Sequence, residues 1–312
     1  MADAWWSVLA LPVMLVVAAC VAAGFDALLG ASAAYGPAGS VRVWGTRAAT
    51  PLREARRLLG QPARRTKAAD TALVRVGTAL LPTAALLAGA VLPLGFTAVS
   101  DPGVGIVWFN AMEALAWAAV WLTGWGPNAA LSMIGGYRFL ALGLAYELPH
   151  MFALTTAGLG AGSLRVGEVV AAQEGLWFAV WMPVAFAVYL LSALAMAFWG
   201  PFDQPVGADA AQGAAAELSG VDRLVFFGGR WLLLVVAAAF SVPLFLGGGH
   251  GPLLPAWAWT VVKTAAVLAL LIGVRRALPT LRLDRFMGLA WMVLLPLVLL
   301  QALAVSVVVV LR

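Results

Sequence analysis

The sequence predicts an all-α, polytopic membrane protein, and three observations carry that reading. Hydrophobic residues make up 63% of the chain and charged residues only 11%, whereas soluble domains carry about a quarter of their residues charged. Mean hydropathy is +0.96. Apolar runs of about 20 residues, the length that crosses a bilayer as a helix, recur from end to end with Gly and Pro between them.

Such runs fall at Trp5–Leu29, Ala72–Phe96, Val104–Trp125, Leu131–Gly160, Leu176–Trp199, Leu224–Leu246, Ala256–Val274 and Phe286–Leu311, which gives eight transmembrane helices in one domain over residues 1–312. Val17, Ala18 and Ala19 ahead of Cys20 faintly resemble a lipoprotein cleavage box, but no basic segment precedes them, so the first run reads as a helix. Asp101-Pro102-Gly103, Gly126-Pro127-Asn128, Gly200-Pro201 and Gly247-Gly248-Gly249 punctuate the runs. Pro149 lies inside the fourth run and is expected to kink it. No internal repeat is visible, which weighs against an inverted-repeat transporter.

Charge sets the topology. The first long loop holds Arg42, Arg47, Arg53, Arg56, Arg57, Arg64, Arg65 and Lys67, and the last holds Arg275, Arg276, Arg282 and Arg285, while the alternate connections offer Arg165 and the terminal Arg312. Basic loops stay cytoplasmic, so both termini are expected on the outer side of the membrane. The net charge of +5 follows from this bias, and no aromatic-and-basic interleaving suggests nucleic acid. In the first loop Thr50-Pro51 starts a helix with Leu52, Ala55, Leu58 and Leu59 on one face and Arg53, Arg56 and Arg57 on the other. It reads equally as a short amphipathic helix in the headgroup plane or as a solvated basic loop that sets topology.

Ionisable residues inside apolar runs are the functional signal, because a charge at the bilayer centre costs roughly 2.5–3.5 kcal/mol. Asp26, Arg75 and Arg230 fall near the cytoplasmic edge, where the two Arg side chains can snorkel. Glu113, Arg138, Glu147 and Lys263 fall deeper and read either as a buried polar path or as structural ion pairs. His150, about one turn beyond Glu147, is its partner or a helix-packing group. With one Cys and no His/Cys cluster, the chain has neither a disulfide framework nor a metal or iron–sulfur site in its sequence, so a redox centre must belong to another chain.

Several motifs then occur in a fixed order. Gly124-Trp125, Gly135, Arg138 and Ala145-Tyr146-Glu147 come first. Pro201-Phe202-Asp203, Pro205, Glu217 and Ser219-Gly220 follow, then Leu244-Phe245-Leu246-Gly247-Gly248, and finally Lys263, Arg275, Arg282, Asp284, Trp291 and Pro296. In the first loop stand Gly36-Pro37, Pro51-Leu52, Glu54 and Arg57. Together they resemble the H-subunit family of bacterial respiratory complex I, the proton-pumping NADH:quinone oxidoreductase, over nearly the whole chain.

The resemblance implies a membrane subunit that forms a quinone chamber with the peripheral arm and links quinone reduction to proton translocation. By that resemblance Trp125, Arg138, Tyr146, Glu147, Asp203 and Glu217 belong to the chamber; Glu113, Glu147, Asp203 and Lys263 to a proton path; and Arg275, Arg282 and Asp284 to loops facing the peripheral arm. Quinone would be bound jointly with the peripheral arm, and the partners would be other membrane-arm subunits, the iron–sulfur and quinone-site subunits, and the lipid bilayer. Any chemistry belongs to the assembly rather than to the isolated chain.

Departures accompany the matches. The family's charged end of helix 1 is here Phe25-Asp26-Ala27-Leu28-Leu29-Gly30-Ala31, its GPNR is Gly36-Pro37-Ala38-Gly39, and its acidic run after PFD is Val206-Gly207-Ala208-Asp209-Ala210. These fit either a divergent paralogue in a variant complex that lacks the NADH-oxidising module, or the membrane anchor or proton-path subunit of an energy-converting hydrogenase or formate hydrogenlyase. Two readings of other classes stay open beside them: a small-solute or ion transporter whose path is lined by Glu113, Arg138, Glu147 and Lys263, and a passive membrane anchor for soluble redox partners.

Overall fold

A computed structural model of the chain describes residues 4–35, 46–207 and 213–311. Gly36-Pro37-Ala38-Gly39, Arg42, Ala208, Asp209, Ala210 and Arg312 lie outside the described residues.

The chain is mostly helical. In order, α1 is Ala4–Tyr35, α2 Thr50–Leu59, α3 Thr71–Gly89, α4 Gly105–Trp125, α5 Ala130–Ala161, α6 Val166–Ala171, α7 Phe178–Trp181, α8 Pro183–Met196, α9 Gly220–Phe245 and α10 Ala256–Ala277. The last run combines α11 (Leu283–Leu289), a π-helical turn (Ala290–Leu294) and α12 (Leu295–Val310). Among the described residues, 6 helices are long and apolar enough to cross a membrane: Val8–Gly30, Thr71–Gly89, Gly105–Trp125, Gly220–Phe245, Ala256–Ala277 and Leu283–Val310. The other two expected spans differ for opposite reasons. The 32-residue α5 has the length, but Arg138, Glu147 and His150 dilute its apolarity; α8 is apolar but only 14 residues long.

Two expected boundaries move. The second span was expected to reach Phe96, yet α3 stops at Gly89, and Pro93–Leu94 pairs antiparallel with Thr97–Ala98 as a short hairpin (β1, β2). Pro93 has no N–H to continue a helix, and Gly95 turns the chain at φ 73°, a conformation that disfavours side chains. The fifth span is divided at Met182 (φ −120°, ψ 51°), where Pro183 begins α8 at a position that needs no intrahelical N–H.

α9 is the most buried span and lies centrally, packed against α1, α3, α8 and α10. The next pairs outward are α3 with α4, α4 with α5, and α5 with α8 and α12. Small residues permit these approaches, as expected where lipid gives helices no hydrophobic drive to associate. A Cβ on Gly77 of α3 would stand 2.6 Å from the Thr123 nitrogen of α4, and one on Gly135 of α5 would overlap the Ala214 backbone. Gly135 thereby seats the turn Gly213–Ala215 directly on α5.

The predicted helix in the first loop is present as α2, resting on α1 and α9 through the buried Leu58, while Leu52 (64% exposed) and Leu59 (63%) face outward. Arg53, Arg56 and Arg57 are exposed as well.

Candidate functional site: a polar cluster between two membrane helices

α4 and α5 are joined by the short link Gly126–Ala129 and therefore run antiparallel, side by side. Glu113 sits near the middle of α4 with Asn110 one turn before it; Glu147 sits near the middle of α5 with His150 one turn after it. Residues three apart share a helix face, so each helix presents two polar groups to the other at the same depth.

Across this interface His150 Nε2 lies 3.1 Å from Glu113 Oε2, and both side chains are fully buried. The two are within ion-pairing reach without the alignment of a regular hydrogen bond. Asn110 Nδ2 donates to Glu147 Oε1 at 3.1 Å. Trp117 Nε1 reaches the hydroxyl of the buried Tyr146 at 3.2 Å, and the Tyr189 hydroxyl donates to the Ala237 carbonyl at 2.7 Å. The His150 ring lies among Phe109, Tyr146 and Tyr189, with centroid separations of 6.4, 6.5 and 5.3 Å.

The cluster is expensive as a mere staple. Asn110 Oδ1, both Glu113 oxygens, Glu147 Oε2 and both His150 nitrogens are buried with no aligned hydrogen-bond partner. Each such group costs about 1–3 kcal/mol, and buried polar groups left in that condition call for an explanation such as catalysis or proton storage. Glu113 and His150, in contact and buried, can pass a proton between oxygen and nitrogen, with the half-buried Glu147 one turn from His150 on α5.

The remaining predicted site residues lie toward the end of the bundle that carries the loops 201–206 and 213–220, or elsewhere. Arg138 is about 13 Å along α5 from Glu147 at 1.5 Å per residue, and its Nη1 donates to the Gln204 carbonyl at 3.3 Å. Trp125 is 44% exposed at the end of α4, beside Trp121, whose ring in turn meets Tyr137 edge-on at 4.6 Å. Asp203 accepts from Thr280 Oγ1 at 3.1 Å, and Gln204 also bonds the Leu281 carbonyl, so the loop at 201–206 is tied to that at 278–282. Glu217 lines a small cleft with Arg64, Arg65 and Asp222. Arg282 and Asp284 pair at 3.0 Å on the surface.

Two predicted residues take other positions. Lys263 is not brought to the acids: its ammonium donates to the carbonyls of Leu246 (2.6 Å), Gly248 (3.0 Å) and His250 (2.7 Å) and faces the Trp177 ring at 4.3 Å. All three protons go to orphan carbonyls at and beyond the end of α9, which is the work of a helix cap. Arg275, expected on a loop, lies in the last turn of α10. Its Nη1 donates to Asp26 Oδ2 at 2.7 Å, Arg276 pairs with the same carboxylate at 2.9 Å, and the clamp joins α1 to α10. The Arg275 guanidinium also lies 4.3 Å from the centre of the Trp199 ring, which Arg230 approaches at the same distance of 4.3 Å. Asp26 thus serves an ion-pair clamp, whereas Arg230, expected to snorkel at the membrane edge, is buried and donates to the Ala197 and Phe198 carbonyls.

Outside the membrane-spanning helices, the Arg57 guanidinium bonds Glu54 and holds its carboxyl below the usual carboxylate range. Thr46, Arg47, Thr50, Arg53, Glu54 and Arg57 line a polar surface cleft of about 490 Å³ beside α2.

Known proteins share this sequence pattern along most of its length. Residues 6–306 match a family model described as NADH dehydrogenase. The chain is 37% identical over 264 residues to the H-subunit 2 of NADH-quinone oxidoreductase from Geobacter sulfurreducens, covering 81% of this chain and 80% of that one. The chain belongs to the H-subunit family of NADH-quinone oxidoreductase. The H-subunit 1 of Geobacter metallireducens is 36% identical over 273 residues (84% and 83% covered), and the H-subunit 2 of Cereibacter sphaeroides 40% over 210 (67% and 66%). As a member of the H-subunit family, the chain is a membrane protein and one component of a larger complex. No group of three or more His, Cys, Asp or Glu among the described residues is placed to hold a metal.

Sequence reasoning missed Asn110 and left His150 undecided. The signal was there in the spacing, since Asn110 precedes Glu113 and His150 follows Glu147 by one turn each. What it lacked was the register between α4 and α5.

Proposed function

We propose that this H-subunit family member spans the bacterial inner membrane eight times, α5 and the α7–α8 pair included, as one domain with both termini on the outer side. α2 lies in the cytoplasmic headgroup plane. With the iron–sulfur and quinone-site subunits of a peripheral arm it forms a quinone chamber, and it passes the consequence of quinone reduction into the membrane arm as proton movement.

Support for the chamber comes from polar groups gathered at one end of an otherwise apolar bundle. Arg138, Asp203 and Glu217 stand at or beside the loops 201–206 and 213–220, on the side read here as cytoplasmic, and the exposed Trp125 ends α4. A guanidinium donor suits the polar head of a quinone, whose reduction takes up electrons together with protons. Asp203 and Glu217 offer carboxylates from which protons can be drawn at that end. Tyr146 and Glu147 lie further along α5 from Arg138, level with Glu113 and His150. Arg282 and Asp284 present exposed charge on the same side for the peripheral arm.

The observation that carries this reading is the pair of acids at mid-helix, the buried Glu113 against His150 and the half-buried Glu147 against Asn110. A passive anchor has no use for two carboxylates at that depth, given what burying them costs. In the intact complex reconstituted in liposomes, Glu147→Gln is expected to leave subunit content unchanged and to stop proton transport driven by reduction of a short-chain quinone. Transport at the unmodified rate would overturn the assignment, and solute movement by the purified chain alone would overturn its reading as part of a complex.

A further inference from the structure

We propose that His150 is a proton-carrying residue, sharing a single transferable proton with Glu113 across the α4–α5 interface. The inference rests on the function proposed above and adds to it the residue that holds the proton between the two acids.

Nε2 and Oε2 are 3.1 Å apart, so a small reorientation of either side chain aligns them for direct proton transfer, and neither side chain is open to lipid or water. The imidazole lies in a cage of rings: Phe109 from α4, Tyr146 from α5 and Tyr189 from α8, with Phe240 of α9 stacked on Phe109 at 3.8 Å. The titratable groups close to the pair are therefore Glu147 and Tyr146 on α5 and Tyr189 on α8, while Asn110 on α4 and Ala237 on α9 supply uncharged polar atoms. Among these neighbours no fixed cation competes with His150 for Glu113, so the pair is neutral overall only while it holds one proton.

The transfer is simple to balance. In one form the proton is on Nε2 and Glu113 is ionised; in the other the N–H bond has broken, an O–H bond has formed on Glu113, and the imidazole is neutral. No electron moves and no co-reactant is needed. Each form leaves the pair with unchanged net charge, so the proton can be exchanged internally without the cost of creating an isolated charge in the membrane. A second negative charge on Glu147, one turn from His150, would draw the proton toward the imidazole; protonating Glu147 would release it. The unmatched His150 Nδ1 and Glu147 Oε2 are the atoms through which such an exchange would be felt.

A purely structural pair would instead join α4 to α5, and its loss would show in assembly rather than in coupling. The test uses the intact complex in liposomes, with quinone turnover and internal acidification followed together and a redox-difference infrared spectrum taken on the unmodified complex. His150→Gln and Glu113→Gln are each expected to lower the protons moved per electron at least tenfold with subunit content preserved, and the double variant to be no worse than either single one. The unmodified complex is expected to show a carboxylic-acid carbonyl band that responds to quinone reduction and vanishes in Glu113→Gln. An unchanged proton-to-electron ratio in His150→Gln would overturn the proposal. If that variant does not assemble, absence of the redox-responsive carboxyl band in the unmodified complex would overturn it equally. Should Glu147→Gln stop transport while His150→Gln does not, only this inference fails; if neither variant has an effect, the proposed function fails with it.

Discussion

At the scale of single residues, charge inside apolar sequence sorts into two kinds once partners are visible. Lys263 and Asp26 have every strong donor or acceptor matched, by three carbonyls in one case and two guanidinium groups in the other. Glu113, Glu147 and His150 do not. Depth and residue type in the sequence made Lys263 look like the acids, because neither reveals which carbonyls a side chain will meet. The two kinds should respond differently to mutation. Lys263→Met strips the cap from α9 and leaves three carbonyls unmatched, at about 1–3 kcal/mol for each buried group, so the chain should dissociate from the complex at lower temperature or detergent concentration. Its proton-to-electron ratio in surviving complex should be normal, and a changed ratio would return Lys263 to the proton path. Asp26→Ala should similarly loosen α1 from α10 by about 1–3 kcal/mol, measured as easier thermal loss of the chain from the complex with coupling intact.

At the scale of elements, Gly and Pro told most of the boundaries, because they act through the local backbone. They account for the stop of α3 before Pro93 and for α8 beginning at Pro183, although continuous apolarity suggested unbroken spans at both places. The amphipathic pattern of Thr50–Leu59 was equally legible, since three Arg and four apolar positions separate at helical period. Contacts between elements were not legible, because they depend on which helix faces meet. Asn110 reaching Glu147 and Gly135 seating residues 213–215 both belong to this class. Gly135→Ala provides a check on the latter: its methyl group would collide with the Ala214 backbone, displacing the turn that leads to Glu217. Quinone turnover should fall several-fold at unchanged subunit content; full turnover would show that the turn does not position the chamber.

At the scale of the whole molecule, the bundle combines one end rich in polar loop contacts with an acid cluster near the middle of α4 and α5. Sequence order preserved both, as collinear motifs of the H-subunit family, even where the charged end of helix 1 and the acidic loop run are replaced. The proposed eight crossings, with both termini outside, make a direct prediction for labelling. In a Cys20→Ser background, cysteines introduced at Ser163 and Leu253 should react with an impermeant thiol reagent from the outer face, and those at Ala63 and Thr280 only after the inner face is exposed. Reaction of Ser163 and Thr280 positions from one side would require a different number of crossings between them.

If the acids between α4 and α5 carry protons when quinone is reduced, the number of protons moved per electron must depend on them. That ratio, measured in liposomes containing the Glu147→Gln complex with Lys263→Met as the control for structural damage, should collapse in Glu147→Gln and stay normal in Lys263→Met. A normal ratio in Glu147→Gln, with the complex fully assembled and turning over, would contradict a proton-carrying role for the cluster.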